Sequence, residues 1–268
     1  MRPALGSLGL HAWLTAVLLF LPAPIVVVVV SSFSRSGYLQ FPPQALSLRW
    51  YTQFLTDETW LRALAVSFAV ALVVALITTL ISFLAALATT RRRFAGRGAF
   101  ELLLLSPLLF PHAAIGVALL SLLSAAGWIG RYPGILLAHV ILCVPFAYRP
   151  ILNSMRKLDL ALEEAAMSLG AHPSHVFRTV TLPLLRPGLV TALLFSFIIS
   201  FDEVTVTIFL IGPEVITLPT RIFAHIQESA SPVVAAISSF LVLVTIALVV
   251  LLQRLVGLEL FVEAETRR

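Results

Sequence analysis

Along the chain, apolar residues gather into six long runs separated by polar stretches, at residues 10–33, 61–90, 99–126, 133–153, 187–211 and 232–256. Each is near or above the roughly 20 residues a helix needs to cross a bilayer. The first run is interrupted by Pro22 and Pro24 and predicts a kinked span. It exceeds the about 7–15 residues of a cleavable signal core, and no clean small-x-small site follows it, so it reads as an uncleaved span. The second run is longer than a bilayer requires and predicts a helix extended into water. Pro107 and Pro111 lie inside the third, and His139 and Pro145 inside the fourth. The predicted fold class is an all-α integral membrane protein with six transmembrane helices. Residues 1–268 read as a single transmembrane domain, with no soluble second domain and no clear internal repeat.

The connections carry their own pattern. Residues 34–60 contain Phe41-Pro42-Pro43 and an amphipathic stretch, Ser47-Leu-Arg-Trp-Tyr-Thr-Gln-Phe-Leu55. Two readings fit it: a helix lying at the membrane interface, or an ordered loop packed on the spans. Trp128 and Tyr132 flank the short turn after the third run, at interfacial depth. Residues 212–231 form a second polar connection, and the chain after residue 253 is polar and charged.

Composition narrows the class. Hydrophobic residues make up 59% of the chain and charged ones 12%, which excludes a soluble globular domain. The net charge of +5 does not point to nucleic acid, because the arginines cluster beside apolar runs as topology signals do. With the cluster Arg91-Arg92-Arg93 and Arg97 in the cytoplasm, both termini are cytoplasmic. Of the 18 Lys and Arg residues, all but Arg35, Arg49, Arg62, Arg131 and Arg221 then lie inside. Cys143 is the single cysteine, so no disulfide forms within the chain. Lys157 is the only lysine, and no glycine lies in Leu152-Asn-Ser-Met-Arg156 before it. A standard phosphate-cradling loop is therefore absent, and any ATP hydrolysis has to come from another chain. His172 and His175 sit three apart around Pro173 in a solvated loop, which does not predict a metal site.

One polar stretch, residues 157–186, stands between apolar runs and faces the cytoplasm in this orientation. Leu, Ala, Glu and Met from Leu160 to Leu169 favour a helix, with Asp159 at its cap. Gly170 permits a turn, Pro173 suits the first turn of a second short helix, and Leu182-Pro183 is expected to end that helix. Ala165 and Ala166 leave one face flat enough for another protein to approach closely.

Glu164-Ala165-Ala166, then Gly170, then Val180-x-Leu182-Pro183 resembles the EAA loop of permease subunits in ATP-binding-cassette (ABC) importers, with Val180 where the family usually has Ile. Further likeness comes from Phe41-Pro42-Pro43 with Leu48-Arg49-Trp50-Tyr51, Leu137-Ala-His139, Ser200-Phe-Asp-Glu203, Ile211-Gly-Pro213 and Leu218-Pro219. These look like the spermidine/putrescine-type permeases, in particular the PotC-like member of a permease pair. The resemblance implies a multi-pass subunit in the bacterial inner membrane, not itself an enzyme and without a cofactor. It implies a docking loop for a cytoplasmic ABC ATPase dimer that binds the ATP, a second permease subunit, and a periplasmic solute-binding protein. The cargo it implies is a polyamine, or, as in related members, aminoethylphosphonate, an opine or another small solute.

Asp202 and Glu203 lie deep in the fifth run, Asp202 fifteen residues beyond Pro187 and thus roughly 22 Å along a helix. Charges at such depth cost at least about 2.5–3.5 kcal/mol on insertion scales. The pair either lines a translocation path or marks a break where the helix is partly wet. His139 has the same two options, a transport role or a hydrogen bond between helices. A stand-alone secondary transporter accounts for the spans and the acids but needs no such loop; a membrane anchor accounts for the spans alone.

Overall fold

A computed structural model describes residues 5–229 and 231–256; their regular elements are all helices, with isolated bridges at Ser34–Leu46 and Gly212–Val215. In chain order the helices are α1 (Leu5–Phe20), α2 (Ala23–Ser31), α3 (Arg49–Thr56), α4 (Glu58–Arg91), α5 (Arg97–Leu105), α6 (His112–Ala125), α7 (Tyr132–Lys157), α8 (Leu160–Ser168), α9 (Pro173–Val176), α10 (Leu182–Asp202), α11 (Leu218–Glu228) and α12 (Val233–Val256). Among the described residues, four helical segments are long and apolar enough to cross a membrane: Gly9–Ser31, Glu58–Arg91, Tyr132–Lys157 and Pro173–Asp202. A fifth exists if the bent pair Arg97–Leu109 and His112–Ala125 is one span; α12 qualifies over Val233–Ala247 as a shorter apolar helix. Arg2 and the tail beyond residue 256, both expected in the cytoplasm, lie outside the described residues.

Three sequence expectations change. The third run is not a straight span: its halves meet at 108°. Pro111 pushes Phe110 out of helical geometry, and both are extended (ψ 144° and 135°), so two consecutive residues break the ladder. The fifth helix stops at Asp202 instead of continuing to residue 211, with Glu203 extended at ψ 116°. Leu182-Pro183 does not end a helix. A π-helical turn, Phe177–Thr181, carries the chain from α9 into α10, whose first turn holds Pro183. Such a widened turn accommodates the ring and missing donor of a proline that would otherwise clash with the preceding turn.

The chain divides into two compact units, residues 1–61 with 224–268, and residues 62–223. In the first, Pro22 sits at the break between α1 and α2, and α12 packs on α2 and α3. The amphipathic stretch forms α3, burying Trp50 and Phe54. Phe54 packs against Phe240 with tilted rings 5.5 Å apart, the indole of Trp50 donates to the Ser34 carbonyl at 2.8 Å, and the Tyr51 hydroxyl donates to Ser239 at 3.1 Å.

In the second unit the central pairing is α7 with α10. It is close because Gly188 of α10 has no side chain: a Cβ there would collide with Ser154 and the Pro150 carbonyl. One apolar core gathers Val70, Val74, Leu123, Ile135, Leu142 and Val206; another gathers Ala86, Tyr148, Ile151 and Leu185. Tyr148, fully buried, shares a 2.9 Å hydrogen bond with Thr89 of α4.

Candidate functional site

Two places in the second unit hold the residues singled out by sequence. The first is the loop between α7 and α10. Asp159 caps α8, its carboxylate accepting from the Ala161 N–H at 2.9 Å. Gly170 turns the chain at φ +88°, a left-handed conformation that favours glycine. His172 then caps α9, accepting from the Ser174 N–H. Glu164 and Ala165 are exposed and Ala166 half-buried, so the small face stands open. Leu160, Leu162, Met167 and Leu169 are exposed as well, Leu169 at 89%, and no residue of α8 is buried. Val180 is half-buried, whereas Leu182 and Pro183 are exposed at the start of α10.

Glu163, beside the singled-out glutamate, makes the contacts that sequence reasoning missed. Its Oε1 accepts from Arg91 Nη2 at the end of α4 and from the Thr181 hydroxyl, 2.7 Å away, in the π-helical turn. Burial opposes its charge, but these two donors outweigh that effect and hold the carboxyl below its ordinary value. The partners lie 72 and 18 residues away in sequence, so no local spacing signals them.

The second place is the break after α10, where the structure separates the two acids. Glu203 is 7% exposed. Its Oε1 accepts from the Val206 N–H at 2.7 Å, its Oε2 lies 3.2 Å from His112 Nδ1, and its carbonyl accepts from the Thr207 hydroxyl at 2.9 Å. Glu203 thus caps the turn that follows the helix and ties it to the first residue of α6. His139 of α7 spans the same break, with Nδ1 2.8 Å from the Ser200 hydroxyl and Nε2 2.8 Å from that of Thr207. Thr207 gives its one proton to the Glu203 carbonyl, so His139 Nε2–H donates to Thr207 and Nδ1 accepts from Ser200. The helix-to-helix role of His139 is the one the geometry supports.

Asp202 is exposed and makes no hydrogen bond or ion pair among the described residues. It stands at the carboxyl end of α10, where unpaired carbonyls already favour a cation. On the preceding turns Phe197 and Phe201 stack at 5.7 Å, and Phe68 of α4 meets Phe197 edge-on at 5.5 Å. Phe68 is a contributor that sequence spacing did not indicate. No group of three or more metal-ligating side chains occurs among the described residues.

Comparison with known proteins gives a consistent outcome. The family "Binding-protein-dependent transport system inner membrane component" matches residues 79–258. The putrescine transport system permease protein PotI of Escherichia coli is 32% identical over 229 residues, covering 83% of this chain and 81% of its own. The spermidine/putrescine transport system permease protein PotC of Haemophilus influenzae is 32% identical over 243 residues, covering 91% and 94%. The sulfate transport system permease protein CysT of Salmonella typhimurium is 29% identical over 259 residues, covering 90% and 88%. In structure, the chain is similar to a bacterial ABC transporter involved in import of the acidic polysaccharide alginate, with a TM-score of 0.68 at 21% identity, covering 95% of this chain and 99% of that one. It is also similar to the alginate transporter in complex with its pentasaccharide-bound periplasmic protein, with a TM-score of 0.66 at 17% identity and 91% of each chain covered.

Proposed function

The chain belongs to the binding-protein-dependent transport system inner membrane components, as a permease subunit of an ABC importer, and from that premise we propose that its cargo is a polyamine. Relatives named for putrescine and for sulfate are both similar to it, so likeness alone does not choose between a cationic and an anionic cargo. The observation that carries the choice is Asp202, an exposed carboxylate at the carboxyl end of α10 beside stacked phenylalanine rings. A carboxylate, helix-end carbonyls and aromatic faces all attract an ammonium group, whereas an anion meets repulsion from the first two. Asp202 then serves as a weak, transient counter-charge on the translocation path, and Glu203 holds the adjoining turn.

In this reading Glu164, Ala165, Ala166, Gly170, Val180, Leu182 and Pro183 form the face that docks on a cytoplasmic ABC ATPase dimer. The exposed apolar side chains of α8 support it, since a docking helix presents such residues to a groove. ATP is bound by that partner, and this chain holds no cofactor. A second permease subunit completes the path, and a periplasmic solute-binding protein delivers the solute. The chain lies in the bacterial inner membrane with six crossings and both termini cytoplasmic, the bent α5–α6 pair and α12 supplying two of them.

The test is uptake by the assembled transporter in proteoliposomes, with ATP inside and solute-binding protein outside. ATP-dependent accumulation of labelled putrescine but not sulfate is the expected result. Preference for sulfate would overturn the cargo, and uptake without ATP would point to a secondary transporter.

A further inference from the structure

α8 buries none of its residues, so no apolar core fixes its position. Its polar contacts must do so. Glu163 makes two of them with a single oxygen, one to Arg91 at the end of α4 and one to Thr181 in the π-helical turn that opens into α10. The cluster is shielded on one side: Arg91 is exposed, with its side chain 31% accessible, but the Glu163 side chain is only 15% exposed and Thr181 is 4% exposed. Of the clustered arginines it is Arg91 that bonds to α8, whereas Arg97 pairs with Glu101 inside its own helix. We propose that Glu163 is a positioning residue, fixing α8 to α4 and α10 at once so that displacement of α8 moves both spans together.

This rests on the reading of α8 as the ATPase-docking helix. Without the tie, α8 still meets the ATPase through its exposed face but shifts against the spans, and ATP hydrolysis is no longer matched to solute movement. Coupling energies between sites usually correspond to changes of about 5–150-fold, and roughly tenfold is expected for loss of this tie.

The experiment uses the whole transporter reconstituted with ATPase and solute-binding protein, carrying Arg91→Glu, Glu163→Arg, both together, or Thr181→Val. Solute imported per ATP hydrolysed is the readout, with melting temperature measured alongside. Each charge reversal should lower the ratio about tenfold while the ATPase still co-purifies, and Thr181→Val should lower it less. The double reversal re-forms the pair with α4 but not the bond from Thr181, so it should recover the ratio to about the level of Thr181→Val. A merely structural pair would change melting without changing the ratio. An unchanged ratio in the single reversals, or a double reversal that does not recover, overturns the proposal. If the single variants fail to assemble, recovery of assembly and ratio in the double variant still decides. Failure of the docking reading is distinguishable, because Ala165→Trp on the exposed face of α8 would then leave ATPase co-purification and uptake unchanged.

Discussion

Two adjacent carboxylates illustrate how much one residue's surroundings decide. Asp202 and Glu203 are indistinguishable by depth in the apolar run, yet one is exposed and the other is engaged through both carboxylate oxygens. Removing Glu203 leaves the Val206 N–H buried without an acceptor, a loss of about 1–3 kcal/mol. Glu203→Ala is therefore expected to lower the melting temperature of the purified transporter clearly. Asp202→Asn should change stability by no more than about 0.5 kcal/mol while slowing putrescine uptake severalfold. The opposite pattern, a stable Glu203→Ala protein and an unstable Asp202→Asn one, would refute the division of roles.

At the scale of elements, the α8–α9 hairpin depends on its turn. No atom lies within 4 Å of where a Gly170 Cβ would stand, so a side chain there meets no clash and only the left-handed backbone resists it. For a β-branched residue that resistance is about 1–2 kcal/mol. Gly170→Val is expected to leave the protein in the membrane but to abolish uptake, with ATPase co-purification falling in step. Ala165→Trp should do the same by obstructing the exposed small face. Gly170→Asn, which tolerates positive φ, should retain most uptake. Normal uptake by Gly170→Val and Ala165→Trp together would refute docking through this hairpin.

For the whole molecule, the arginine distribution makes a claim about sidedness that packing within the chain does not. Reporters active only in the cytoplasm should work when fused after Arg268 or at Gly96 and fail at Gly37 or Ile226. A reversed pattern would put α8 outside and exclude coupling to an ATPase. The bent α5–α6 pair sharpens the test: activity at Gly96 together with failure at Gly127 means that the pair crosses as one broken span. Activity at both means that it re-enters the side it came from.

The class of the protein, its all-helical apolar segments and the α8–α9 hairpin were legible in the sequence because their causes are local. Long apolar runs need a membrane, Asp159 and Pro173 mark helix starts, Gly170 marks the turn, and Pro22 marks where the first run breaks. What the prolines could not convey was the 108° between the halves of the third run or the π-helical passage into α10, since both depend on what the neighbouring helices leave room for. The same limit applies to the sites. Asp202 and Glu203 were identifiable as costly, but which of them is free was decided by His112 reaching one oxygen and the following turn the other. Glu163 looked like an ordinary helix residue until folding brought Arg91 and Thr181 to it. Residues 72 and 18 positions apart share no local pattern, and only the packing of α4, α8 and α10 makes them one cluster.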